Sequence, residues 1–187
     1  MSGDFGELQR SLREADSKRL HRESLQAREA ERRAAQERLL FEDKYSRTMK
    51  VAKHIATTLV SHQVLPEHDL VREEWKKQLW GLAGSKRERT AVGSGWLISQ
   101  QVNDAGETWD GYRRYATVGR LLTPSGELIG VTESSFSSSG LSRVIVMEDT
   151  WHNASYGPLK EEQVLDVSVR EGLARIATRY EISLAGY

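Results

Sequence analysis

The chain has 187 residues, in which 27 Lys+Arg balance 27 Asp+Glu, with five His and no Cys. That length suits one ordinary domain, or a small domain carrying a long extension. Balanced charge argues against a strongly electrostatic nucleic-acid or membrane-surface protein, and zero cysteines exclude disulfide staples, thiolate metal sites, iron–sulfur clusters and cysteine nucleophiles.

No apolar run approaches the roughly 18 residues that span a bilayer, and the N-terminus lacks the apolar core of a secretory signal. The expectation is a cytoplasmic protein with no membrane span. Composition then divides the chain. All five tryptophans (Trp75, Trp80, Trp96, Trp109, Trp151) and most glycines lie beyond residue 70. Large rings need a packed surround, so the division predicts a helical arm over 1–65 and a small α+β body over 66–187.

Between Gly6 and Pro66 the arm has neither Gly nor Pro and is dense in Arg, Glu, Ala, Gln and Leu. These residues lose little rotamer freedom in a helix. Charge pairs four apart, such as Arg10–Glu14, Arg19–Glu23, Glu29–Arg33 and Asp43–Arg47, each add about 0.2–0.5 kcal/mol. A helix over about 7–63 would run roughly 85 Å at about 1.5 Å per residue.

Its apolar stripe follows heptad steps through Leu20, Ser24, Ala27, Glu31, Ala34, Arg38, Phe41, Tyr45, Thr48, Ala52, Ile55 and Leu59. The first half is poor and coiled-coil-like at best; the second is a credible seam. Residues 39–60 are therefore expected to be buried, against the body or against another copy. The partner-binding residues named by this reading are Phe41, Tyr45, Ala52, Ile55 and Leu59.

In the body, Leu70, Val71, Trp75, Leu79, Trp80 and Leu82 fall at helical spacing, predicting a helix over 68–83. Strand chemistry follows within about 90–148: Thr90–Gln101, Tyr112–Leu122, Leu128–Phe136 and Ser142–Met147. Turn signals NDAGE (103–107) and TPSGE (123–127) join them into a roughly four-stranded antiparallel meander, with the serine run 137–140 as its loosest hairpin. Ser168 and Glu171 match a capping box, and Val169, Leu173, Ile176 and Tyr180 form a helical stripe over about 170–182. Residues 159–168 fit either a helix or a strand.

Catalytic chemistry finds no motif. Gly93-Ser94-Gly95-Trp96-Leu97-Ile98 is similar to the strand that often opens trypsin-like peptidases, yet the next histidine is His152 and no glycine-flanked nucleophile follows. The glycines more simply mark a bulge or a close backbone approach. His54, His62 and His68 lack metal-ligand spacing and read as surface residues; phosphate-cradling glycine motifs are missing. No catalytic residue, metal, cofactor or small-molecule ligand is indicated.

Two readings remain. The first is a non-enzymatic adaptor or structural component that binds a protein partner, or itself as a homo-oligomer, through the arm. The alternative is a nucleic-acid-binding accessory protein whose sheet presents Arg87, Arg89, Arg113 and Arg114 beside Trp96 and Trp109 for backbone tracking and base stacking.

Overall fold

A computed structural model describes residues 3–77, 85–147 and 154–187, with side chains over 17–73, 88–147 and 154–187. In chain order the elements are α1 (Gly3–Ser61), β1 (His68–Lys77), β2 (Ser85–Glu107), β3 (Arg113–Leu122), β4 (Leu128–Ser135), β5 (Val144–Met147), β6 (Ser155–Pro158), α2 (Glu161–Val164) and α3 (Val167–Arg179). The class is α+β with a long N-terminal helix. Two compact units divide the chain, Met1–Lys44 and Tyr45–Tyr187.

The first unit is the leading part of α1. The same helix then enters the second unit and stops where Gln63 takes a left-handed φ of 57°. There Val64 N–H donates to Leu59 O at 2.9 Å, which satisfies a terminal carbonyl before Pro66 ends the run.

Six strands form one mixed sheet in the order β5-β1-β2-β3-β4-β6 among the described residues. The antiparallel meander β2-β3-β4 is present as the sequence implies, but two strands flank it that were not expected. β2 serves two neighbours: its first half pairs with β1 and its second half, from Trp96, with β3. Gly95 stands at the handover. A Cβ there would lie 3.0 Å from Leu121 Cβ and from Leu122 O, so the close-approach reading of that glycine holds.

Neighbouring side chains leave the sheet on opposite faces and fill two cores. Trp96, Ile98, Leu122 and Leu128 pack with Ala52, Ile55, Ala56 and Leu59 of α1 and with Val164, Val169, Leu173, Ile176 and Ala177 of the C-terminal helices. On the other face Leu121, Ile129 and Val131 pack with Leu70, Leu141, Ile145 and Met147. This period of two across the pleat is what buries both faces of the central strands.

Several sequence expectations are corrected. The helix expected over 68–83 is β1 as far as Lys77; residues 78–83 lie outside those described. Leu70 and Val71 are both buried although adjacent, and the β1–β2 register shifts opposite them, where Val92 is the extra residue of β2. Two neighbouring buried apolar residues thus imitate helical spacing within a strand. NDAGE is no reversal either, since β2 continues to Glu107 and the turn is Thr108–Tyr112, closed by Thr108 N–H to Tyr112 O at 2.8 Å. Asp104 Oδ1 accepts from Gly106 N–H at 2.8 Å within a second register shift, so the signal marks a bulge.

TPSGE does turn, with Gly126 at φ 85° and its N–H bonded to Thr123 O at 2.9 Å. The serine run is not a hairpin: β5 crosses to the far edge and lies parallel to β1. The stretch left between helix and strand, 159–168, contains all of α2 and the cap and first residues of α3, after the edge strand β6 has closed on β4. The α3 cap is Asp166, whose side chain accepts from Ser168 N–H at 3.0 Å, so the helix starts earlier than the Ser168 box implied.

Candidate functional site

α1 carries the expected partner seam, and its residues fall into different surroundings. Ala52, Ile55 and Leu59 are each 0% exposed, held in the chain's own core by Trp96, Leu122 and α3. The expectation that they meet a partner is corrected. Their burial against the body is the other of the two outcomes the seam allowed, and it follows from the aliphatic volume that the sheet face needs filled. Tyr45 is half-buried. With Met49 it lines a 310 Å³ apolar hollow over Leu128, Pro158 and Val164, and a 460 Å³ one beside Lys50, Lys53 and Glu127.

Phe41 is half-buried within the first unit, whereas every residue from 17 to 40 is exposed. That stretch leaves four leucines in water: Leu20, Leu25, Leu39 and Leu40, at 45–65% exposure. Ion pairs four apart line its flank, Arg38 Nε to Glu42 Oε1 at 3.1 Å and Arg19 Nε to Glu23 Oε1 at 3.7 Å.

The alternative basic and aromatic group is dispersed. Trp96 is 1% exposed and donates its indole N–H to Leu65 O at 3.1 Å, so it belongs to the core and stacks no base. Arg89 is bonded to Glu73, its register partner across β1–β2, whose carboxylate is buried. Arg113 lies between Asp104 and Glu107 at 3.8 and 3.9 Å. Arg114 donates to Ser134 Oγ at 3.3 Å. The side chain of Arg87 lies outside those described. Trp109, at 99% exposure on the Thr108–Tyr112 turn, alone matches the expected display. Tyr112 and Phe136 form an exposed edge-to-face pair nearby in the fold, with centroids 6.4 Å apart. Arg89 and Arg113 are thus paired with acids interleaved among them.

A cleft of about 660 Å³, outside the sites expected from the sequence, lies between α3 and β2. It exists because α3 crosses the strand at Gly172, where a Cβ would fall under 3 Å from Ile98 O. Ile98 is the extra residue where the β2–β3 register shifts, and Arg175 Nη2 donates to its carbonyl at 3.1 Å. Arg179 pairs with Glu67 Oε1 at 2.5 Å, and Glu67 Oε2 also accepts from Leu97 N–H at 3.4 Å. At the N-terminus of α3, Arg120 bonds Ser168 and Asp166. The Ser168 N–H, then Arg120, hold the Asp166 carboxyl below its ordinary 3.8. Arg175 and Arg179, four apart on a predicted helix, were the available signal for this cleft. Their guanidinium groups act as struts between helix and sheet.

Two of the histidines are also structural. His68 is buried and donates from Nδ1 to Ser142 O at 2.9 Å, which corrects its surface assignment. His54 donates from Nε2 to Ser183 O at 3.1 Å and stacks on Tyr187 at 4.9 Å. Among the described residues no three His, Cys, Asp or Glu side chains group to hold a metal, and no helix is long and apolar enough to cross a membrane. No protein-family model, curated protein or solved structure matches the chain.

Proposed function

We propose that this protein is a non-catalytic component of a larger protein assembly, docking through the exposed part of α1 before Tyr45. The observation that supports this reading is the continuous exposure of residues 17–40 along a helix that still carries Leu20, Leu25, Leu39 and Leu40. Covering what is still exposed of one such leucine, 45–65% of it, is worth about 1–2 kcal/mol, so a companion surface gains from meeting this stretch. The body holds the end of the same helix by its Ala52–Leu59 face and supplies the anchor. The absence of cysteine from the sequence supports a reducing compartment, and we place the protein in the cytoplasm.

The test replaces Ala27 and Ala34, both exposed, with Asp in the full chain. Native mass measurement of complexes recovered from the source cell should show extra mass on the wild type that the variant loses. Thermal unfolding of the body should not change. Identical masses for wild type and variant would defeat the proposal.

A further inference from the structure

Heptad lettering of the exposed stretch puts Ser24, Glu31 and Arg38 at a positions and Leu20, Ala27, Ala34 and Phe41 at d positions. Two charges therefore sit in the seam itself, and they discriminate between the ways in which a second helix can lie on it. In a parallel, in-register pair, Glu31 would face Glu31 and Arg38 would face Arg38. On the flanks, Glu37 would meet Glu42 of the other chain, and only Glu23 with Arg28 would attract.

An antiparallel pair reverses this balance. With Ser24 level with Phe41 of the second copy, Ala27 is level with Arg38 and Glu31 with Ala34. Glu31 and Arg38 of opposite chains then lie one turn apart across the seam, twice by symmetry. The flanking neighbours become Glu23 with Lys44 and His21 with Glu42, and the like charges that still approach are the two copies of Glu31, about 5 Å apart along the axis, set against two Glu31–Arg38 attractions at about 6 Å. Arg38 already reaches Glu42 at 3.1 Å on its own helix, which places its guanidinium toward the acid-bearing side. The small side chains Ala27 and Ala34 permit close approach at the middle of the overlap. Leu25 and Leu39, at b positions, and Leu40, at a c position, stay outside the seam.

We infer that the occupant of this face is a second copy of the same chain, joined as an antiparallel helix pair over residues 20–44. The inference rests on the docking proposal above and adds the identity and direction of the partner.

The chain contains no cysteine, so single thiols report without background. In the antiparallel pair two copies of residue 34 are offset by about 5 Å along the axis and two copies of residue 27 by about 16 Å, at about 1.5 Å per residue. A short bis-maleimide should therefore cross-link full-length Ala34→Cys and leave Ala27→Cys monomeric. In sedimentation, Glu31→Arg should weaken dimerisation by about tenfold, because two modest attractions become repulsions. The double variant Glu31→Arg, Arg38→Glu should restore it. Equal cross-linking at both positions would mean a parallel pair, overturning the direction while keeping the face as a docking site. A monomer at every concentration, with no cross-link at either position, would overturn self-association. The mass of the cellular complex would then separately decide the docking proposal.

Discussion

Replacing Gly172 by alanine sets two effects of opposite sign against each other. Inside a helix the exchange ordinarily gains about 1 kcal/mol, because glycine loses more backbone freedom on folding. At this position the new Cβ would stand under 3 Å from the carbonyl oxygen and Cγ2 of Ile98, and 2.8 Å from its carbonyl carbon. Those atoms cannot swing aside as a flexible side-chain end would, since the Ile98 carbonyl is fixed by Arg175 at 3.1 Å. Overpacking of this kind costs about 1–3 kcal/mol, and forcing α3 away would also open Val169, Leu173 and Ile176. The net expectation is a loss of about 1–2 kcal/mol, or roughly 2–8 °C in Tm for a domain of this size. Urea titration followed by tryptophan fluorescence reads it directly. Ala174→Gly is the control: that residue is exposed two positions on, and it should lose about 1 kcal/mol by propensity alone. A Gly172→Ala midpoint above the wild type would refute the claim that close packing fixes this residue.

Ile55→Ala or Leu59→Ala should each destabilise the protein by about 2–5 kcal/mol in the same titration, because both are fully buried; Ala34→Asp should stay within about 0.5 kcal/mol. Asp166 has a lowered folded pKa, so its contribution is complete above pH 3.8 and disappears as pH falls through the lower folded value. Asp166→Asn should accordingly flatten that part of the acid limb below pH 3.8 in a pH series of unfolding midpoints. Arg89→Ala should lose about 1–3 kcal/mol by taking a donor from the buried Glu73 carboxylate. Arg113→Ala, whose ion pairs are long and exposed, should lose less than about 0.5 kcal/mol, with both variants measured by urea midpoint.

Features set by local chemistry were legible in the sequence. The helix-forming run before Pro66, the reversal at Thr123–Glu127 and the β2-β3-β4 strands each carry their signal within a few residues. Features set by distant partners were not. β1 becomes a strand because it fills the place between β2 and β5, pairing with both. β5 leaves the meander because its place is beside β1, a parallel pairing that no turn residue announces. Trp96 illustrates the same limit at the level of a site. Beside Arg87 and Arg89 in sequence it suggests a stacking platform, but strand alternation sends it into the helix-side core and sends Leu97 the other way. The cleft residues Arg175 and Arg179 acquire their roles only when α3 is laid across β2.

Helicity and burial separate along α1, and the separation bears on how the exposed stretch would be used. Starting a helix is costly while extending one is nearly free, with a nucleation factor on the order of 10⁻³. Packing of Ala52, Ile55, Ala56 and Leu59 supplies that nucleus. The Arg, Glu, Gln and Ala residues upstream then need only favourable propagation to remain helical. Order in residues 17–44 is therefore no argument for a partner; the leucines left in water are. A partner meeting this stretch finds its surface already formed and avoids the ordering cost that coupled folding imposes.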